Sequence, residues 1–150
     1  MMSLRRLWNI TLIAALILPL VMIVRSSGNE DWVLADAIPP TGEAAALLMF
    51  VAMAVGPLAR IVGMRSRWML WAMQKRRWIG VAAFCYAALH LALYILDMGA
   101  LDLMLAEISA PGIWTGWLAF LLMALPAVAS NDRAMRLLKR WWKPVQRLLY

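Results

Sequence analysis

The residue best equipped for chemistry in this chain is His90, the only histidine among its 150 residues. It lies in "KRRWIGVAAFCYAALHLALYILD" (75–97), where three cations open an otherwise apolar stretch. An imidazole can bond a neighbouring helix, or it can hold an iron such as that of haem through a ring nitrogen. Ala83, Tyr86, Ala87 and Tyr94 fall three, four or seven residues from it. Small neighbours at helical spacing admit a flat cofactor, and they equally admit a second helix. Arg60, Arg76 and Arg77 are the other groups placed to act, as contacts for an anionic lipid or a quinol headgroup. Their simpler role is to anchor and orient the helices.

Several exclusions narrow the field. No Walker loop, CxxC pair, HExxH or nucleophile elbow occurs. No complete catalytic site is recognisable in the chain. Its one cysteine, Cys85, sits inside the same apolar run and has no partner for an internal disulfide.

The elements that must position His90 follow from hydropathy. Hydrophobic residues make up 65% of the chain and the mean hydropathy is +0.74, well above a soluble domain. Four runs approach the roughly 20 residues needed to cross a bilayer core of about 30 Å: 7–24, 44–62, 78–96 and 113–129. A fifth begins near 144. These runs predict an all-α integral membrane protein, a single transmembrane domain over 1–150. It is a bundle of four spans plus the start of a fifth. Pro19 and Pro57 fall within spans, where neighbouring helices can satisfy the freed carbonyls. The first run reads as an uncleaved helix rather than a secretory signal, because it is long and no A-x-A site follows.

The net charge of +7 does not indicate nucleic acid, because the charges gather in short segments between apolar runs. Every cation but Arg25 falls on one side of the predicted spans, and every acid but Asp132 on the other. The positive-inside rule then puts the N-terminus and the basic loops in the cytoplasm. Trp8, Trp68, Trp71, Trp78, Trp141 and Trp142 gather at that same boundary. Two cytoplasmic segments read as interfacial and amphipathic. In 131–147, Ala134, Leu137, Leu138, Trp141 and Val145 alternate at helical steps with Arg133, Arg136, Arg140, Lys143 and Arg147. In 64–75, Met64, Trp68, Trp71 and Ala72 form the oily face.

Depth constrains the histidine further. His90 is thirteen residues past Arg77 and seven before Asp97, so it lies about 20 Å from the cytoplasmic end and about 10 Å from the outer one. A facing ligand must come from the outer half of another span.

Four stretches carry a family resemblance: "GPLAR" (56–60), "RRWIGVAAFCYAALHLALY" (76–94), "LPAVASND" (125–132) and "WWKPVQRLLY" (141–150). The chain resembles the ferric-reductase-like transmembrane domain family, and within it the small bacterial haem-binding membrane subunits of the methionine sulfoxide reductase system. The last stretch is similar to the family's W-x-x-L-H-R-L-x-Y. The resemblance implies a bundle carrying haem b that passes electrons from quinol or a flavin toward a reductase partner, with His90 as an axial ligand. The departures are specific. Gln146 stands where the family often has histidine, and Arg77 stands at the matching depth of the third span. An inner haem site therefore lacks both imidazoles. An outer partner for His90 is expected about thirteen residues after Gln146, near position 159, if the chain continues past Tyr150. Otherwise the second ligand is weak, is absent or comes from a partner subunit. The alternative is a haem-free structural accessory subunit of a larger respiratory or photosynthetic complex.

Overall fold

The computed structural model describes residues 4–63 and 66–128, and within them every regular element is helical. Five α-helices and one short 3-10 turn follow in order: α1 (Leu4–Ser26), the turn (Leu34–Ala37), α2 (Ile38–Val62), α3 (Arg67–Met98), α4 (Leu101–Glu107) and α5 (Pro111–Val128). Three segments are long and apolar enough to cross a membrane: Arg6–Ser26, Leu34–Val62 and Arg67–Met98. The predicted amphipathic segment 131–147 and the fifth span lie outside the described residues.

Two helices start earlier than hydropathy predicts. α2 begins at Ile38, and Pro39 and Pro40 occupy its first turn. Proline is at home there because its missing N–H is one of the donors a helix start leaves unpaired anyway. α3 begins at Arg67 and runs 32 residues. It absorbs most of the segment expected to lie separately on the membrane surface. Nothing between Arg67 and Met98 breaks a helix: the stretch has no proline, and Gly80 is its only glycine. At about 1.5 Å per residue α3 spans roughly 48 Å, more than the bilayer core. Its Arg67 end is packed against the rest of the bundle, with Met69 and Ala72 buried. Gly99, in the left-handed region at φ 64°, ends it.

The core is the antiparallel seam between α2 and α3. On α3 the buried residues Met69, Ala72, Ile79, Ala83 and Tyr86 step by three and four, and Arg76 and His90 fall in the same series. On α2 the series is Ile38, Thr41, Ala45, Leu48, Ala52, Val55 and Ala59. This is a heptad seam with alanine at every second position of the α2 series from Ala45 and at Ala72 and Ala83 of α3, and small side chains let the two backbones come close. α1 is pinned to α3 by hydrogen bonds. Trp71 donates from Nε1 to Asn9 Oδ1 at 3.0 Å, and Trp8 lies against Trp71 with ring centroids 5.8 Å apart. The Tyr86 hydroxyl donates to Leu16 O at 2.7 Å and accepts from Leu20 N at 3.2 Å. Those two groups lie one helical turn apart, at the turn that Pro19 weakens. Elsewhere α1 exposes Leu7, Ile10, Ile13 and Ile17, a surface suited to lipid.

Candidate functional site

His90 is fixed from the α2 side. Its Nδ1 lies 2.8 Å from the Ile38 carbonyl oxygen and 3.4 Å from Thr41 Oγ1. A carbonyl can only accept, so Nδ1 is the donor, and the lone pair of a neutral ring then lies on Nε2. Among the described residues Nε2 has no hydrogen-bond partner. Gly42 makes the approach feasible. A Cβ there would stand 3.0 Å from both Cε1 and Nδ1 of His90, so a larger residue would displace the ring.

On its other flank His90 lines a cavity of about 170 Å³ between α3 and α5. Ala87, Leu91 and Tyr94 continue the α3 wall, and Gly112, Gly116, Trp117, Phe120 and Met123 are among the residues of the α5 wall. A Cβ at Gly112 or Gly116 would meet nothing within 4 Å, so glycine keeps this wall flat. Phe84 and Phe120 stack at 5.3 Å and brace the two helices beside the cavity. At the α4 end, Tyr94 donates to Glu107 Oε2 at 3.2 Å.

The residues around His90 named from the sequence thus divide between two jobs. Ala83 and Tyr86 pack in the seam, while Ala87 and Tyr94 line the cavity. Thr41, Gly42, Gly112, Gly116 and Glu107 escape a reading centred on the histidine. The available signals are the P-P-T-G helix start and the four-residue spacing of the two α5 glycines.

The arginines do not act as one group. Arg76 turns into the seam and donates from Nε to the Ala52 carbonyl at 2.8 Å. Arg60 and Arg77 are exposed.

Among the described residues no three His, Cys, Asp or Glu side chains converge. A metal at His90 must therefore bring most of its own ligands, as porphyrin iron does. A one-sided imidazole whose far nitrogen is oriented by a backbone carbonyl, beside a flat glycine wall, suits that group. The cavity is smaller than the roughly 300–1,000 Å³ of ordinary ligand pockets, and the described residues alone do not enclose a haem-sized group.

Comparison with known proteins agrees with this architecture. The model of the family described as ferric reductase like transmembrane component matches residues 41–150. The chain belongs to that family. It is a multi-pass membrane protein by family and by its long apolar helices. Over 136 residues it is 33% identical to the protein-methionine-sulfoxide reductase heme-binding subunit MsrQ of Ralstonia nicotianae, covering 88% of this chain and 54% of that relative. The protein of the same name from Xanthomonas axonopodis pv. citri is 34% identical over 113 residues, covering 73% and 50%. That of Xanthomonas euvesicatoria pv. vesicatoria is 32% identical over 130 residues, covering 82% and 57%. The chain spans about half the length of these relatives. No solved structure matches it.

Proposed function

We propose that this chain is the membrane core of an electron-transfer subunit that carries haem b, with His90 as an axial ligand through Nε2. The observation that carries the reading is the His90 Nδ1–H donated to the Ile38 carbonyl. That bond sets the tautomer and leaves the metal-binding nitrogen without a partner on the described helices. Bound there, haem supplies one-electron exchange between ferric and ferrous iron.

The chain's own residues supply the rest. Ile38 orients the imidazole and raises its basicity. Gly42 lets the ring reach Ile38, and Tyr86 fixes α3 one turn away by its bonds to α1. The α5 glycines leave room for a planar group, and lipid with apolar side chains keeps water from it. The 150 residues contain no second histidine, so a second axial imidazole is not among them.

The relatives are named as subunits of a protein-methionine-sulfoxide reductase, which supports a reductase partner here. In this reading electrons arrive from quinol or a flavin. The chain crosses the bacterial inner membrane as one domain with four spans and the start of a fifth. The charge pattern supports a cytoplasmic N-terminus, and Arg60 and Arg77 meet lipid or quinol headgroups at the basic boundary.

The test is the absorption spectrum of the purified chain reconstituted with haem. A b-type Soret band that shifts on reduction is expected in the parent and absent from His90→Ala. An unchanged spectrum in that variant sinks the proposal.

A further inference from the structure

Thr41 is fully buried, and the ligand reading above assigns it no role. Its hydroxyl lies 2.9 Å from the Ala37 carbonyl and 2.7 Å from the Ile38 carbonyl. It has one proton to give. The Ile38 carbonyl is also the acceptor of His90 Nδ1 at 2.8 Å, and the helical ladder of α2 aims the Gly42 N–H at the same oxygen. Three donors thus converge on an oxygen with two lone pairs. The ladder N–H and the histidine have no other strong acceptor in reach. Thr41 has one, at Ala37.

We propose that Thr41 is a positioning residue that sets how strongly His90 bonds Ile38, and through it the reduction potential of a cofactor at Nε2. This rests on the ligand reading for its redox part and on geometry alone for its hydrogen-bond part. When the hydroxyl turns to Ile38 it competes with the imidazole, and the Nδ1–H···O bond weakens. When it turns to Ala37 the carbonyl is left to His90, and the hydroxyl oxygen stays 3.4 Å from Nδ1 in either case. A weaker bond makes the imidazole a poorer donor to iron and favours the ferrous state. Second-sphere hydrogen bonding of this kind is a recognised lever on haem potentials. Thr41 therefore holds the potential above the value that an unshared Ile38 carbonyl would set.

A single histidine makes the hydrogen bond directly observable. The full chain, labelled with ¹⁵N-histidine and kept haem-free in micelles, gives one imidazole signal set. Thr41→Val keeps the shape and removes the hydroxyl, while Thr41→Ser keeps the hydroxyl. The Nδ1–H resonance should move downfield in Thr41→Val and stay near the parent in Thr41→Ser. In the haem-loaded protein the midpoint potential should fall in Thr41→Val, with haem content unchanged, and recover in Thr41→Ser. An Nδ1–H resonance at one position in all three proteins, or a change to the Nε2–H tautomer in Thr41→Val, overturns the proposal. So does a midpoint that stays or rises in Thr41→Val. If neither parent nor variants bind haem, the ligand reading fails, and the haem-free spectra still decide the role of Thr41.

Discussion

Two places on the α2–α3 seam share one backbone arrangement and differ in chemistry. At one, His90 donates to the Ile38 carbonyl beside Gly42. At the other, Arg76 donates to the Ala52 carbonyl beside Gly56. His90 and Arg76 are fourteen residues apart, as are Ile38 and Ala52, and Gly42 and Gly56. Fourteen residues are two heptads, the interval at which a paired helix turns the same face to its partner again. In each case a nitrogen from α3 meets a carbonyl of α2, with a glycine one turn further along α2. The imidazole keeps a lone pair after donating; a guanidinium has none to offer a metal. The repeat thus supplies the frame twice and a nitrogen with a lone pair to offer once.

That contrast can be broken most completely at the histidine. His90→Ala removes the only imidazole, and haem absorption should vanish in the reconstituted protein. The glycines sharpen the comparison. A Cβ at Gly42 stands 3.0 Å from the imidazole, while one at Gly56 stands 3.8 Å from Arg76 Nη1, an ordinary contact. Gly42→Ala should push the ring off Ile38 and weaken haem binding on the order of tenfold, or about 1.4 kcal/mol, in a haem titration. Gly56→Ala should leave haem binding alone. Its melting temperature should change little, because alanine's helix preference of about 0.5–1 kcal/mol is opposed by the clash of a new Cβ with the Pro57 ring. Equal losses from both variants would dissolve the distinction. Arg76→Met should cost about 1–2 kcal/mol of stability through the lost bond to Ala52. The haem spectrum should stay as in the parent, since the two positions are about 21 Å apart along α3.

The sequence makes part of this design readable. The three long helices stand out because lipid demands apolar runs of that length. His90 stands out because an ionisable side chain in such a run needs a partner. The seam is much harder to read. Where both faces of a helix are apolar, one toward lipid and one toward protein, binary patterning has no contrast to use. The seam mixes alanine with larger apolar residues that also occur on the lipid-facing sides, so only burial reveals it. The starts of α2 and α3 are obscured for another reason. The Arg67 end of α3 carries Arg67, Trp68, Trp71 and Lys75, which read as a surface segment until continuous packing shows one helix. Gly42 looks like any small residue near a helix start, and its role needs the partner helix in place. Thr41 is equally silent, since its competitor for Ile38 is 49 residues away.

The smallest effects distinguish the two tyrosines that flank His90. Tyr86 is buried and its hydroxyl bonds both Leu16 O and Leu20 N of α1, at the turn that Pro19 weakens. Tyr86→Phe leaves those two backbone groups without that bridge in an apolar setting. It should cost about 1 kcal/mol in thermal or denaturant unfolding. Tyr94 reaches Glu107 from the cavity wall through an exposed contact at 3.2 Å, where water can replace the lost bond. Tyr94→Phe should therefore stay within about 0.5 kcal/mol. If Tyr94→Phe proves the costlier variant, the α3–α4 contact at the cavity mouth, rather than the bridge to α1, is what holds α3 in place around the histidine.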